Sequence, residues 1–151
     1  DSKLHLEYSD KVRAVALAAV LKNVYSLGFG IVDGLGLSGN EKGIVFSHMF
    51  KEQMQIQKIL GGDAEVSLGL AGLGDMVCTG FSEFSRQRTS GEELIKTGKM
   101  SKKSESVNSL PSLLALLGEK GEQFTFLQVI KSVVIDGKDA QKMIDNYFGS
   151  L

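Results

Sequence analysis

The sequence predicts an all-α protein, a multi-helix bundle of about six to eight helices. Hydrophobic residues recur at the spacing of amphipathic helices in several segments, and no alternating pattern indicates a pair of strands. With 151 residues, 42% of them hydrophobic, the chain is long enough for one compact core and too short for two full domains. We therefore expect a single helical domain spanning residues 1–151.

Two long helices are predicted in the first part of the chain. The first runs from residue 9 onward and is expected to weaken from Gly28, where glycines become frequent and each costs about 1 kcal/mol of helix stability. The second is predicted to begin after an N-cap at Ser38 or Asn40 and to stop at Gly61.

Shorter helices are predicted in the rest of the chain. The glycines of residues 69–74 indicate a tight turn that leads into a short helix. Residues 82–109 are polar and are expected to be mobile, with a short helical piece near residues 92–96. Pro111 is expected to open a helix, because its missing N–H costs nothing in a first turn. Two more helices are predicted near residues 126–133 and 139–148, although residues 132–135 would also suit the end of a strand.

Composition argues against several functional classes. Seventeen basic and eighteen acidic residues give a formal net charge of -1, so no broad basic surface is expected for nucleic acid. One cysteine and two histidines have no metal-binding spacing, and a single cysteine fits a reducing, cytoplasmic setting. The longest apolar runs fall short of the roughly 20 residues that a membrane span needs. We expect no nucleic acid, no metal and no membrane span.

Lys22 is the first candidate for chemistry. It follows Ala14 and Ala18 at intervals of one helical turn, so small side chains leave its face of the helix open to close approach. Its position alone favours a solvated surface lysine whose stem lies along apolar neighbours, and only the sequence context argues for a role in chemistry.

Two further polar clusters follow. The glycine-rich turn delivers one carboxylate, Asp75, with Thr79 one helical turn beyond it, although Asp75 could also be only an N-cap. The segment Ser85–Arg88 offers a hydroxyl, an amide and two guanidinium groups within four residues. Such a group suits an anion, because arginine binds phosphate through two parallel hydrogen bonds; a solvated basic loop explains the composition equally well.

One glycine motif is interpreted as a turn. Residues 34–39 read Gly-Leu-Gly-Leu-Ser-Gly and match the spacing of a dinucleotide-binding fingerprint. That fingerprint follows a strand and opens a helix, whereas here a long helix is predicted before it and no parallel strand after it. We therefore predict an interhelix turn.

Several motifs taken together resemble one known family. In order and spacing, the chain is similar to the NAD-dependent glycerol-3-phosphate dehydrogenases in four places: Leu21-Lys22-Asn23, Asp33-Gly34-Leu35-Gly36, the stretch Gly69–Thr79, and Ser85-Arg86-Gln87-Arg88. The Gly-Leu-Ala-Gly-Leu-Gly-Asp run is the most specific of these. The resemblance covers about residues 6–148 and implies the family's C-terminal, all-helical domain, of the 6-phosphogluconate dehydrogenase-like type.

The resemblance also implies a reaction and roles for the polar clusters. The reaction is the interconversion of sn-glycerol 3-phosphate and dihydroxyacetone phosphate, part of glycerol phosphate metabolism and phospholipid biosynthesis. Such an alcohol oxidation needs a group that accepts the hydroxyl proton, which a lysine can do. Lys22 is the implied general acid/base, with Asp75 and Thr79 in the catalytic centre. The implied substrate-binding residues are Lys22, Asp75, Ser85, Arg86 and Gln87.

The implied cofactor is NAD or NADP. Its contacts in this chain fall on Arg86, Lys103 and Glu105. The sequence departs from the family pattern at two nearby positions, since Gln87 stands where asparagine is usual and Ser106 where glycine is usual.

The resemblance also implies that the chain works together with other molecules. A nucleotide-binding Rossmann domain is expected before Asp1, so the chain by itself is expected to be inactive. The partners that the resemblance implies are a small phosphate substrate and this N-terminal domain. A homodimer is a further expectation, because surfaces that the N-terminal domain would cover are expected to be exposed apolar patches. Two alternatives remain open: a non-enzymatic helical interaction module, and a sister dehydrogenase for another small hydroxy acid or phosphate.

Overall fold

The computed structural model describes residue 3, residues 5–100 and residues 104–151, and all regular elements in these ranges are helical. The described part contains seven α-helices: α1 (Val12–Gly34), α2 (Gly39–Ile59), α3 (Asp75–Phe81), α4 (Arg86–Thr97), α5 (Glu105–Leu117), α6 (Thr125–Val134) and α7 (Ala140–Gly149). Shorter 3₁₀ turns span Val66–Leu68 and Gly118–Gln123, and a π-helical turn spans Leu70–Gly74. The all-α prediction and the predicted range of helix number are confirmed.

Helix α1 is the centre of the fold. It packs against α2, α3, α4, α5 and α6, and every residue from Val24 to Val32 is buried. Among the described residues, α1 has the length and hydropathy that a membrane span would require. However, 61% of its most apolar stretch is buried within the fold, which is typical of a core helix.

The prediction that α1 weakens at Gly28 is wrong, because the helix continues to Gly34. The glycines allow α1 and α4 to pack backbone against backbone. A Cβ atom at Gly30 would lie 1.9 Å from the carbonyl oxygen of Arg88, and one at Gly91 would lie 2.1 Å from that of Leu27. Tertiary packing of this kind outweighs the low helix propensity of single glycines.

The turn between α1 and α2 agrees with its prediction. Ser38 is the N-cap of α2, and it exchanges hydrogen bonds with Glu41 in a capping box. Gly36 adopts a φ of 74°, a left-handed conformation that favours glycine. The glycine motif of residues 34–39 is therefore an interhelix turn, as predicted.

The polar stretch of residues 82–109 is more helical than predicted. It contains all of α4, whose N-cap Ser85 accepts a hydrogen bond from the Arg88 N–H at 3.3 Å. It also contains the start of α5, which begins at Glu105, so Pro111 lies inside that helix and does not open it. The Pro111 side chain is exposed. Proline has no backbone N–H, so α5 lacks one helical hydrogen bond at this position, after the residues from Glu105 onward have already formed its first turn.

Helix α6 begins in the interior of the protein, where Glu52 of α2 caps it. The Glu52 carboxylate accepts hydrogen bonds from the backbone N–H groups of Phe126 at 2.8 Å and Leu127 at 3.1 Å. The hydroxyl of Tyr25 donates a third at 2.7 Å. Burial raises the pKa of Glu52 more than these hydrogen bonds lower it. This buried carboxylate ties α1, α2 and α6 together.

Candidate active site

The glycine-rich turn before α3 sets the position of Asp75. A Cβ atom at Gly72 would lie 2.3 Å from the carbonyl oxygen of Ser67, so this turn packs directly on the preceding 3₁₀ turn. The N–H of Gly74 bonds to the carbonyl of Gly69 at 3.2 Å, which closes the π-helical turn. The chain then enters α3 with Asp75 as its first residue. A tight turn leading into a short helix is what the sequence predicted.

Lys22, Asp75 and Thr79 form one hydrogen-bonded group, which we call the lysine cluster. The Lys22 Nζ lies 2.8 Å from Asp75 Oδ2, and Thr79 Oγ1 donates to Asp75 Oδ1 at 3.1 Å. The Lys22 side chain is 19% exposed, and the Asp75 side chain is 39% exposed. The lysine is therefore held by a defined partner at the edge of the core and is not a freely solvated surface residue.

Arg86 and Glu105 form a second, more exposed group beside α1. Arg86 Nη2 lies 3.8 Å from Glu105 Oε1, and Asn23 Nδ2 donates to Glu105 Oε2 at 3.3 Å. Since Asn23 directly follows Lys22, the two groups adjoin along α1. The side chains of Arg86 and Glu105 are 73% and 62% exposed, and such pairs contribute little to stability. Both charged groups can therefore turn towards a ligand at small cost.

Asn23 was not among the predicted site residues, although its contact with Glu105 connects the two groups. Its position next to Lys22 in the Leu21-Lys22-Asn23 motif was the available signal. The contact between Asn23 and Glu105 could not be predicted from the sequence, because the two residues lie far apart along the chain.

Ser85 and Gln87 lie in the same region as Arg86, but the Ser85 hydroxyl and the Gln87 amide oxygen contact the protein. The Ser85 hydroxyl caps α4. Gln87 is 6% exposed, and its Oε1 lies within hydrogen-bond distance of the hydroxyls of Ser104 and Ser106. Lys103 lies outside the described residues. The two groups thus include five of the predicted site residues: Lys22, Asp75, Thr79, Arg86 and Glu105.

The described part of the chain contains no cluster of three or more His, Cys, Asp or Glu side chains that could hold a metal ion. Cys78, in α3, is exposed and forms no disulfide. The lysine cluster and the pair of Arg86 and Glu105 bring together an amino group, carboxylates and a guanidinium group, which can transfer protons and bind anions.

A family model described as the C-terminus of NAD-dependent glycerol-3-phosphate dehydrogenase matches residues 11–145. The chain belongs to this family. The match includes the lysine cluster and the pair formed by Arg86 and Glu105, and it confirms the resemblance inferred from the motifs.

Curated relatives named glycerol-3-phosphate dehydrogenase (NAD(P)+) agree with this assignment. The protein of Erythrobacter litoralis is 31% identical over 144 residues, which are 91% of this chain and 43% of that protein. A protein of Thermus thermophilus is 42% identical over 84 residues, which are 56% of this chain and 26% of that protein. The chain thus spans less than half the length of these relatives.

Solved structures support the fold. The crystal structure of glycerol-3-phosphate dehydrogenase from Coxiella burnetii matches with a TM-score of 0.83 at 24% identity, covering 96% of this chain and 48% of that one. The structure of DsGPDH from Dunaliella salina matches with a TM-score of 0.76 at 18% identity, covering 93% of this chain and 27% of that one. In both cases the similarity accounts for nearly all of this chain and at most half of the other.

Proposed function

We propose that this chain carries the proton-transfer and phosphate-binding residues of an enzyme that interconverts sn-glycerol 3-phosphate and dihydroxyacetone phosphate with NAD or NADP. The observation that carries the proposal is the contact of Lys22 with Asp75 at 2.8 Å, beside the exposed guanidinium of Arg86. The family membership of residues 11–145 supports the choice of reaction.

Lys22 is the proposed general acid/base. In the oxidative direction its Nζ accepts the proton of the substrate hydroxyl, and in the reductive direction it returns a proton to the same oxygen. Asp75 holds the amino group in place, and the hydrogen bond from Thr79 fixes the orientation of the carboxylate. These contacts favour proton transfer because they keep the acid/base group in one position before the substrate binds.

Arg86 is the proposed phosphate-binding residue. It is the first residue of α4, where unpaired N–H groups and the helix dipole favour an anion. Its guanidinium group can bind phosphate through two parallel hydrogen bonds. We propose Ser85 and Gln87 as further residues of this substrate region, Ser85 because it caps the same helix turn.

The pair of Arg86 and Glu105 fits a dinucleotide, since a guanidinium group matches phosphate oxygens and a carboxylate accepts hydrogen bonds from hydroxyl or amide groups. A bound nicotinamide would supply the hydride transfer. We propose these two residues, with Lys103, as the cofactor contacts of this chain. The preference of the enzyme for NAD or NADP depends on residues that contact the ribose. We propose that these residues belong to a separate nucleotide-binding domain.

The proposed partners are that nucleotide-binding domain, the phosphate substrate and a second copy of the protein. Phe81 and Phe84 are 58% and 87% exposed, which supports coverage of this surface by another domain or subunit. The exposed thiol of Cys78 is compatible with a reducing compartment, and we propose the cytoplasm.

The experiment compares dihydroxyacetone phosphate with unphosphorylated dihydroxyacetone as substrates of the complete enzyme. We expect Arg86→Ala to raise KM for the phosphorylated ketone by about 10- to 100-fold, because it removes charged hydrogen bonds to the phosphate. The matched control is Arg13→Ala, which removes an exposed arginine in the first turn of α1 and should leave KM unchanged.

Three results would contradict the proposal. Equal turnover of the two ketones, or an unchanged KM in Arg86→Ala, would favour a sister dehydrogenase with another substrate. Absence of turnover in the unaltered complete enzyme would favour the helical interaction module.

A further inference from the structure

A buried polar group joins the first turns of α4 and α5, and we call it the amide clamp. It consists of Gln87, Ser104 and Ser106, which are 6%, 1% and 0% exposed. Gln87 Oε1 accepts a hydrogen bond from the Ser106 backbone N–H at 3.2 Å, and it lies 2.9 Å from Ser106 Oγ and 2.5 Å from Ser104 Oγ. The two hydroxyls also lie 2.5 Å apart, so one of them donates to the other and the remaining one donates to Gln87. The N–H and this hydroxyl occupy both lone pairs of the amide oxygen.

The residues of the amide clamp are sequence neighbours of the exposed charged pair. Arg86 precedes Gln87 at the start of α4, and Glu105 lies between Ser104 and Ser106 at the start of α5. Helices α4 and α5 both pack against α1, and the amide clamp adds a direct side-chain link between their first turns. Glu105 also accepts a hydrogen bond from Asn23 Nδ2 at 3.3 Å, and the side chains of Arg86 and Glu105 are both mostly exposed.

We propose that Gln87 is a positioning residue: it holds α4 against α5 and so sets the place of Arg86 relative to Glu105, without binding the substrate through its own amide oxygen. The inference rests on the proposed function and reassigns one residue of that site. The side chain of Gln87 reaches α5, where the hydroxyl of Ser106 lies 2.9 Å from its amide oxygen.

The test is a set of variants of the complete enzyme: Gln87→Met, the double variant Ser104→Ala/Ser106→Ala, and the two combined. Methionine keeps the length of glutamine and removes its amide. We expect Gln87→Met and the serine double variant each to raise KM for dihydroxyacetone phosphate by about tenfold, the equivalent of one lost hydrogen bond, with kcat changed less than about twofold. The serine double variant keeps the hydrogen bond from the Ser106 backbone N–H, so its effect on KM should not exceed that of Gln87→Met. The combined variant should have the same KM as Gln87→Met alone, because Gln87→Met already removes the whole contact.

Gln57→Met is the matched control for a purely structural effect. Gln57 is a fully buried glutamine of α2 whose Nε2 donates to the Ala14 carbonyl at 2.8 Å, away from the charged pair. Its substitution should lower Tm and leave KM unchanged. If Gln87→Met folds too poorly to assay, the serine double variant decides the question by the same change in KM.

Direct contact of Gln87 with the substrate predicts a different pattern. In that case Gln87→Met raises KM while the serine double variant does not, which would overturn the inference. An unchanged KM in both would overturn it as well. Absence of turnover in the unaltered enzyme would identify the proposed function as the failing step and remove the inference with it.

Discussion

Lys22 and Glu52 are both ionisable side chains that are largely shielded from solvent. The groups that each of them contacts indicate that their roles differ. Lys22 contacts one carboxylate at the edge of the fold, and its side chain keeps 19% exposure. Glu52 is 7% exposed, and its oxygens are occupied by backbone N–H groups of α6 and the hydroxyl of Tyr25. Lys22 can therefore meet a ligand, whereas Glu52 stabilises the junction of three helices.

The buried state of Glu52 predicts a pH dependence of stability. Burial raises its folded pKa above the ordinary value of 4.5, so the folded protein retains a proton that the unfolded chain releases in that range. The free energy of unfolding should therefore fall, relative to that of Glu52→Gln, as pH rises from about 4.5 through the folded pKa. Urea denaturation of both proteins across this range measures the difference, and a difference that does not vary with pH would contradict the assignment.

At the scale of elements, the contact between α1 and α4 depends on glycine. Gly30 of α1 and Gly91 of α4 each face a carbonyl oxygen of the other helix, too close for a side chain. This close packing places the start of α4, with Arg86, beside the helix that carries Lys22. The glycines thus affect the site because they allow α1 and α4 to lie close together, which brings Arg86 near the helix that carries Lys22.

Substituting Gly91 with alanine should therefore destabilise the protein. Its Cβ atom would lie 2.1 Å from the Leu27 carbonyl oxygen, and we expect a loss of about 3 kcal/mol because backbone must move. The matched control is Gly43→Ala in α2, where nothing lies within 4 Å and alanine should stabilise by about 1 kcal/mol. Thermal denaturation compares the two, and similar Tm changes for both variants would contradict the packing argument.

The sequence predicted the helices that are amphipathic or clearly capped, and it failed where tertiary contacts override local preference. The start of α2 at Ser38 was predictable, because a capping box is local. The continuation of α1 beyond Gly28 was not, since glycine lowers helix propensity unless a second backbone packs on it. The beginning of α5 at Glu105 was also missed, because its first turn is held by Gln87 of α4.

For the site, the sequence predicted which residues take part but not the direction of every side chain. Motif resemblance identified Lys22, Asp75 and Arg86, and the structure brings each of them into contact with a charged partner. The resemblance could not indicate that Gln87 faces α5, because that orientation depends on Ser104 and Ser106, which lie far from it in sequence. Side-chain direction is a property of packing, whereas motifs report only identity and spacing.

At the scale of the whole molecule, one central helix organises a site that is open to solvent on one side. Helix α1 carries Lys22 and Asn23, and the starts of α3, α4 and α5 bring Asp75, Arg86 and Glu105 to it. The chain spans less than half the length of its curated relatives. We propose that this domain provides proton transfer and phosphate binding, and that the hydride transfer uses a cofactor held mainly by another domain.

The most direct test of this division is the rate of NADH oxidation with dihydroxyacetone phosphate in three samples. The complete enzyme should turn over, the 151-residue chain alone should not, and the complete enzyme with Lys22→Ala should lose turnover while it still binds the phosphate ligand. The control is Lys42→Ala, which removes another partly buried lysine paired with an aspartate, Asp33, and should retain turnover. Retained turnover in Lys22→Ala, or activity of the 151-residue chain alone, would contradict the account.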